Sequence, residues 1–255
     1  FNPGPHTGAG NNTYLISGET PTLIDAATGV PAHLTALTRA LVTRSLSQVL
    51  VTHGHSDHVD GCDQIGQRWP SAVFKKMSWP ERDRLQSVKW VPIGDGDRIH
   101  AGSGVLRVLH TPGHAPDHLC FFDEKTGTLF SADLVVPGST VVIPACSGGS
   151  LSQYLASLRR VLALDPIKML PAHGPAIDDP ATVLNQYLEH RQRREDQIII
   201  ALRAGRRRPS MIVDHVYRGL KPELKGLAQR SVMAHLVKLR DEGRIRLDGD
   251  EWVLN

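Results

Sequence analysis

One segment constrains this chain more than any other: Thr52-His53-Gly54-His55-Ser56-Asp57-His58. It follows directly on the apolar run Val49-Leu50-Val51, the pattern of a buried strand. Four potential ligands fall within residues 53–58. Imidazole nitrogen and carboxylate oxygen suit Zn²⁺ and related borderline metals. The alternating spacing of His53 and His55 can send both rings to one side of an extended loop, leaving Asp57 and His58 to turn towards a second point.

The same arrangement recurs downstream. Val105 to Leu109 reads as a strand running into His110-Thr111-Pro112-Gly113-His114. Thr128-Leu129-Phe130 leads into Ser131-Ala132-Asp133, and Ile167 to Leu170 ends at Pro171-Ala172-His173-Gly174. Alone, His114, Asp133 and His173 would be ordinary loop residues. Following the first segment in this order, they become ligand candidates, all placed just after strands, where loops gather on one edge of a sheet. His118, four residues past His114, is a candidate to support the ligands from behind or to assist a leaving group, or else a histidine satisfied at a strand start.

The remaining pattern alternates strand and helix. Tyr14-Leu15-Ile16 and Thr22-Leu23-Ile24 flank a turn, as do Leu119 to Phe122 and Thr128 to Phe130, so two hairpins are expected. Leu34, Leu37, Leu41 and Val42 follow one helix face; Leu151, Leu155, Leu158 and Leu162 follow another. Asp178 or Asp179 can cap a long helix that Pro180 opens and Ala204-Gly205 closes. After the break at Arg206-Arg207-Arg208-Pro209 come two helical patterns, Ile212 to Tyr217 and Leu227 to Arg240. A hairpin about Gly249 completes a helix-turn-helix with a wing. The expected division is a domain over 1–178, a connecting helix over 179–205 and a winged helix over 206–255.

Charge supports a distinct C-terminal unit. Residues 189–255 hold 15 of the 29 Lys and Arg but only 10 of the 26 Asp and Glu. Such a surplus suits an anionic partner. Three cysteines, Cys62, Cys120 and Cys146, with no CxxC pair, argue against a disulfide framework and a Cys-rich zinc site. They fit a reducing compartment: the cytoplasm, or an organellar matrix if a targeting segment precedes Phe1. No apolar run approaches the roughly 18–20 residues of a membrane span.

The ordered set of His53, His55, Asp57, His58, His114, Asp133 and His173 resembles the metallo-β-lactamase superfamily, whose HxHxDH motif is followed by His, Asp and His. The resemblance implies an α/β fold, a four-layer αβ/βα sandwich with a dinuclear metal site on its edge. By that resemblance His53, His55 and His114 would hold one metal, and Asp57, His58 and His173 a second. Asp133 would bridge them. Two Zn²⁺ per chain are implied, although iron or manganese suits the same ligands. His at position 55 favours hydrolysis over the redox chemistry of flavodiiron-type relatives. The Asp133 carboxylate disfavours β-lactam hydrolysis except as a side reaction.

Within the superfamily, the chain is similar to the subgroup with a C-terminal winged helix. The matching stretches are Asn2-Pro3-Gly4-Pro5, Asn12-Thr13-Tyr14-Leu15, His110 to His114, Gly138 to Val142, His173 to Ile177, Tyr187 to Arg191 and Arg194 to Ile198. That subgroup includes a single-strand-specific endoribonuclease and fungal thioester hydrolases. The leading expectation is therefore metal-dependent phosphodiester cleavage of single-stranded RNA, with water acidified between two metals as nucleophile and Asp57 orienting it and accepting its proton. The alternative is a thioester hydrolase of the glyoxalase II or acyl-carrier type. A regulatory nucleic-acid-binding module with a structural metal site is a third reading, against which the Cys-free ligand set and bridging carboxylate argue. The winged helix either binds nucleic acid through Arg230, Lys238, Arg244 and Arg246, or packs over the active-site edge and mates with a second chain to form a homodimer.

Overall fold

The computed structural model describes residues 2–4, 8 and 10–255; Pro5, which ends one of the quoted motifs, lies outside the described residues. Strand β1 (Tyr14–Ile16) folds back on β2 (Thr22–Ile24) as an antiparallel hairpin. β3 (Gln48–Leu50), β4 (Val73–Lys76) and β5 (Trp90–Pro92) add in parallel to complete a five-stranded sheet. Between these strands lie α1 (Pro31–Leu41), α2 (Ser56–Val59), α3 (Cys62–Arg68) and the short α4 (Pro80–Asp83). The second five-stranded sheet has the order β10-β9-β8-β7-β6. Its strands β6 (Arg98–Ala101), β7 (Gly104–His110), β8 (Leu119–Asp123) and β9 (Thr128–Ala132) form an antiparallel meander. β10 (Lys168–Pro171) returns parallel to β9 after helix α5 (Leu151–Leu164).

Side-chain alternation along the strands sorts the core into layers. Leu23, Val49 and Val51 face the helices with Leu37, Leu41 and Ile65. Ile24 and Leu50 face the other sheet beside Val108, Phe121 and Phe130. On the far side of that sheet Leu109, Cys120, Phe122 and Leu129 pack against Leu151, Leu155 and Leu158 of α5 and Leu184 of α6 (Pro180–Arg203). The result is the expected αβ/βα sandwich. Cys62 and Cys120 are buried in it as free thiols, whereas Cys146 is exposed.

Two apolar residues depart from their expected buried faces. Val42 ends α1 with φ 56° and is 81% exposed. Ile167 is 72% exposed because pairing with β9 begins at Lys168; its side chain covers the Gly127 turn instead.

Asp179 caps α6, its side chain accepting the Thr182 N–H at 3.1 Å, with Pro180 opening the helix. Beyond it, α7 (Pro209–Val216), α8 (Lys225–Asp241) and the hairpin of β11 (Ile245–Asp248) with β12 (Glu251–Leu254) form the winged helix. Its core joins Ile212, Val232, Leu236, Ile245 and Trp252 to Ile198 and Leu202 at the end of α6. The unit is docked on the sandwich: Ala234 of α8 belongs to the core beneath α5, and buried Glu195 of α6 pairs with Lys238 at 2.6 Å and with Arg244. Among the described residues, no helix is long and apolar enough to cross a membrane.

Candidate functional site

The ends of β3, β7, β9 and β10 deliver the seven residues singled out by their spacing to one edge of the two sheets. His55 Nδ1 lies 2.9 Å from both His53 Nε2 and His114 Nε2. His58 Nε2 lies 3.6 Å from Asp57 Oδ2, and His173 Nε2 lies 3.4 Å from the same oxygen. Asp133 stands between the two groups. Its Oδ2 is 3.3 Å from His114 Nε2, while its Oδ1 is 3.3 Å from His173 Nε2 and 3.6 Å from His58 Nε2. Three overlapping sets therefore offer ligand atoms all within 4.8 Å of one another: His53-His55-His114, His53-His58-Asp133 and Asp57-His58-His173.

The outer partners of these rings fix their tautomers. His58 Nδ1 donates to Asp25 Oδ2 at 2.7 Å. The Thr52 hydroxyl donates to Asp25 and so accepts from His53 Nδ1 at 3.1 Å. His114 Nδ1 donates to the Val142 carbonyl at 2.8 Å. His173 Nδ1 faces the Gly10 carbonyl at 3.4 Å. Each Nε2 of these four rings is thereby turned inward, with a lone pair on His53 and His114 and, in the metal-free protein, a proton on His58 and His173. The lone pairs of His53 and His114 both face His55 Nδ1, which has at most one proton to offer. His58 Nε2 and Asp133 Oδ1 are buried without a hydrogen-bond partner. Converging lone pairs and orphaned buried polar atoms are the signature of ligands for a cation, and the residues fit a divalent metal.

Electrostatics divides the site in two. Burial holds His53 well below the ordinary histidine range and His55 at about 3. Burial also opposes charge on His173, but Asp133 and Asp57 outweigh it and raise that ring to about 10. Burial acts to raise Asp57 and Asp133 too; for Asp57 the His173 and His58 rings, and for Asp133 the His58 and His173 rings, override it and keep both carboxyls low. Without metal, the second group is thus held together by protons, which a metal would displace.

Several supports lie outside the ligand motifs. Asp25 follows β2 directly, a buried acid at the end of an apolar strand. Asn11 Nδ2 donates to Asp57 Oδ2 at 3.0 Å. The Asn12-Thr13-Tyr14-Leu15 stretch acts by bracing β10: Asn12 Nδ2 donates to the Pro171 and Gly174 carbonyls, and the Tyr14 hydroxyl to Pro171. Behind the His53–His55 loop, the buried Lys76 ammonium pairs with Asp117 at 3.0 Å and with Asp83. At the site's lip, the half-buried Trp79 ring sits 6.1 Å from the His55 ring, with the Arg82 guanidinium 5.4 Å from its centroid. Arg82 makes no ion pair among the described residues.

His118 lies beneath the ligand candidates, its ring 5.2 Å from that of His53. It is fully buried, accepts the Asp133 N–H at Nε2 (3.2 Å) and bonds the Thr111 hydroxyl through Nδ1 (2.8 Å). Both ring nitrogens are thus engaged, one of them on the Asp133 backbone, the contact of a supporting residue.

Comparison with known proteins agrees with this geometry. Residues 6–173 match the metallo-beta-lactamase superfamily, and residues 209–252 match the beta-lactamase associated winged helix domain. The chain is 31% identical over 254 residues to the beta-lactamase-like protein 2 homolog of Caenorhabditis elegans, covering 95% of this chain and 82% of that protein. It is 30% identical to the lactamase-like protein adaB of Aspergillus niger, covering 98% and 81%. The crystal structure of a metallo-beta-lactamase family protein from Thermus thermophilus superposes with a TM-score of 0.79 at 22% identity, covering 96% of this chain and 94% of that one.

Proposed function

Because this chain belongs to the metallo-beta-lactamase superfamily, we propose that it is a dinuclear zinc hydrolase that cleaves phosphodiester bonds of single-stranded RNA. The observation that carries this reading is Asp133, whose two oxygens face two different histidine groups. His53 Nε2, His55 Nδ1 and His114 Nε2 would hold one ion; Asp57 Oδ2, His58 Nε2 and His173 Nε2 the other, with Asp133 shared. Bound metal would supply Lewis acidity and a water acidified to near neutral pH. Asp57, steered by Asn11 and kept ionised, would orient the attacking water and take up its proton. An RNA substrate is supported by the lip, where Trp79 offers an indole to a base and the unpaired Arg82 a charge to a phosphate.

The test is end-labelled single-stranded RNA incubated with zinc-loaded protein, alongside a chelator control and Asp57→Ala. Internal cuts that need metal and vanish in the variant are expected. An absence of cuts at full metal occupancy would shift the reading to a thioester hydrolase. One observation favours that alternative: two of the four winged-helix cations, Lys238 and Arg244, are already paired with Glu195 and Glu242.

A further inference from the structure

We propose that Arg191, on the connecting helix α6, is a positioning residue for the metal ligand His114, acting through the backbone at Val141 and Val142. The inference rests on the metal-binding reading above, but not on the identity of the substrate.

His114 can offer Nε2 to a metal only while Nδ1 gives its proton away, and the acceptor is the Val142 carbonyl at 2.8 Å. Val142 lies in the stretch between β9 and α5, residues 133–150, which has no helix or strand to orient its carbonyls. Helix α6 does that work. The Tyr187 hydroxyl receives the Val136 N–H at 2.8 Å and lies 2.7 Å from the Val136 carbonyl and 2.9 Å from that of Ser139. One turn later, Arg191 donates to the Val141 carbonyl, the peptide next to the one that holds His114.

Arg191 is an expensive residue for the place it occupies. It is 2% exposed, makes no ion pair among the described residues, and its Nε has no hydrogen-bond partner. The face of Tyr154, 5.3 Å from the guanidinium, is its other neighbour of note. An unbranched apolar side chain would fill the same space without burying a charge. What it could not do is donate to Val141. The same α6 carries Glu195, one turn further on, which anchors Lys238 and Arg244 of the winged helix. The C-terminal unit and the first metal group therefore share one helix as their support.

The experiment compares wild type, Arg191→Met and Arg191→Lys in the full chain. Metal affinity is read by chelator competition, and ¹⁵N spectra of the histidine rings identify which imidazoles bind. Arg191→Met is expected to weaken one of two metal equivalents by about 10–100-fold, the loss typical of removing an outer support of a ligand. The lost signal should be that of His114, with the Asp57-His58-His173 group unchanged. Arg191→Lys, which can still donate to Val141 but without the planar fork, should recover part of the affinity. Unchanged binding in a folded Arg191→Met overturns the inference, as does equal weakening of both equivalents with no rescue by lysine. If Arg191→Met does not fold, Arg191→Gln, whose shorter side chain cannot reach Val141, decides: a selective loss at His114 supports the inference and wild-type binding overturns it. Wild-type protein that binds no metal would instead overturn the metal reading, and this inference with it.

Discussion

Asp133 is the residue on which both halves of the site depend. Asp133→Ala should lower the occupancy of both metal positions, read as bound equivalents after dialysis; two equivalents still held tightly would show that it does not bridge. His173 gives the site a pH dependence of definite sign. Burial lowers it, but Asp133 and Asp57 prevail and raise it to about 10 in the metal-free protein. Its protonated ring therefore stabilises the metal-free fold fully below the ordinary histidine value near 6.5, and that contribution is lost as pH climbs through about 10. Metal-free protein should melt at progressively lower temperature from pH 7 to 10, while metal-loaded protein, whose ion replaces the proton, should change less. Metal must displace the same proton, so affinity measured by chelator competition should be tighter at pH 9 than at pH 7. A flat profile in both measurements would count against His173 as a ligand.

At the scale of elements, the site depends on loops held at close quarters. Gly113 has φ 133°, and a Cβ there would fall 2.3 Å from the Tyr154 backbone nitrogen at the start of α5. Gly113→Ala should cost on the order of 3 kcal/mol, from clash and strain together, and should loosen metal at His114 next to it; a melting curve matching wild type would refute this. The junction of α6 with α8 invites a second measurement. Glu195 is 4% exposed and, with Glu242, offsets the charge of Lys238 and Arg244. Glu195→Gln removes the buried carboxylate and leaves Lys238 and Arg244 only the more exposed Glu242, and should destabilise the chain by about 2 kcal/mol in denaturant unfolding. The strand ends that carry the ligands were legible in the sequence because apolar alternation and polar loops alternate so plainly. The bracing contacts were not. Asp25, Asn11, the Val142 carbonyl and Arg191 meet their partners across intervals of 28 to 50 residues, and no local period encodes such a meeting.

Across the whole molecule, the uneven charge predicts how an anionic strand should bind. Each phosphate neutralised on a single strand contributes a slope of about −0.7 in log affinity against log salt. RNA binding to a cleavage-dead Asp57→Asn chain should thus weaken steeply with salt. Arg82→Ala should make that slope shallower by about 0.7; a slope left unchanged would remove Arg82 from the contact. The winged helix contributes less charge than its composition promises. Lys238 and Arg244 are paired with Glu195 and Glu242, and Arg207 meets Glu251 at 3.5 Å, whereas Arg230 and Arg246 remain exposed. The sequence alone determined the seven ligand candidates, the layered α/β class and the winged-helix tail, because ligand chemistry, strand alternation and helical spacing are properties of residue type and interval. Only the tertiary structure decided which nitrogen of each ring faces the shared centre, that His118 bonds the Asp133 backbone, and that a buried arginine on α6 bonds the Val141 carbonyl beside the one that meets His114. Those facts rest on hydrogen bonds between distant segments, whose directions exist only once the chain has packed.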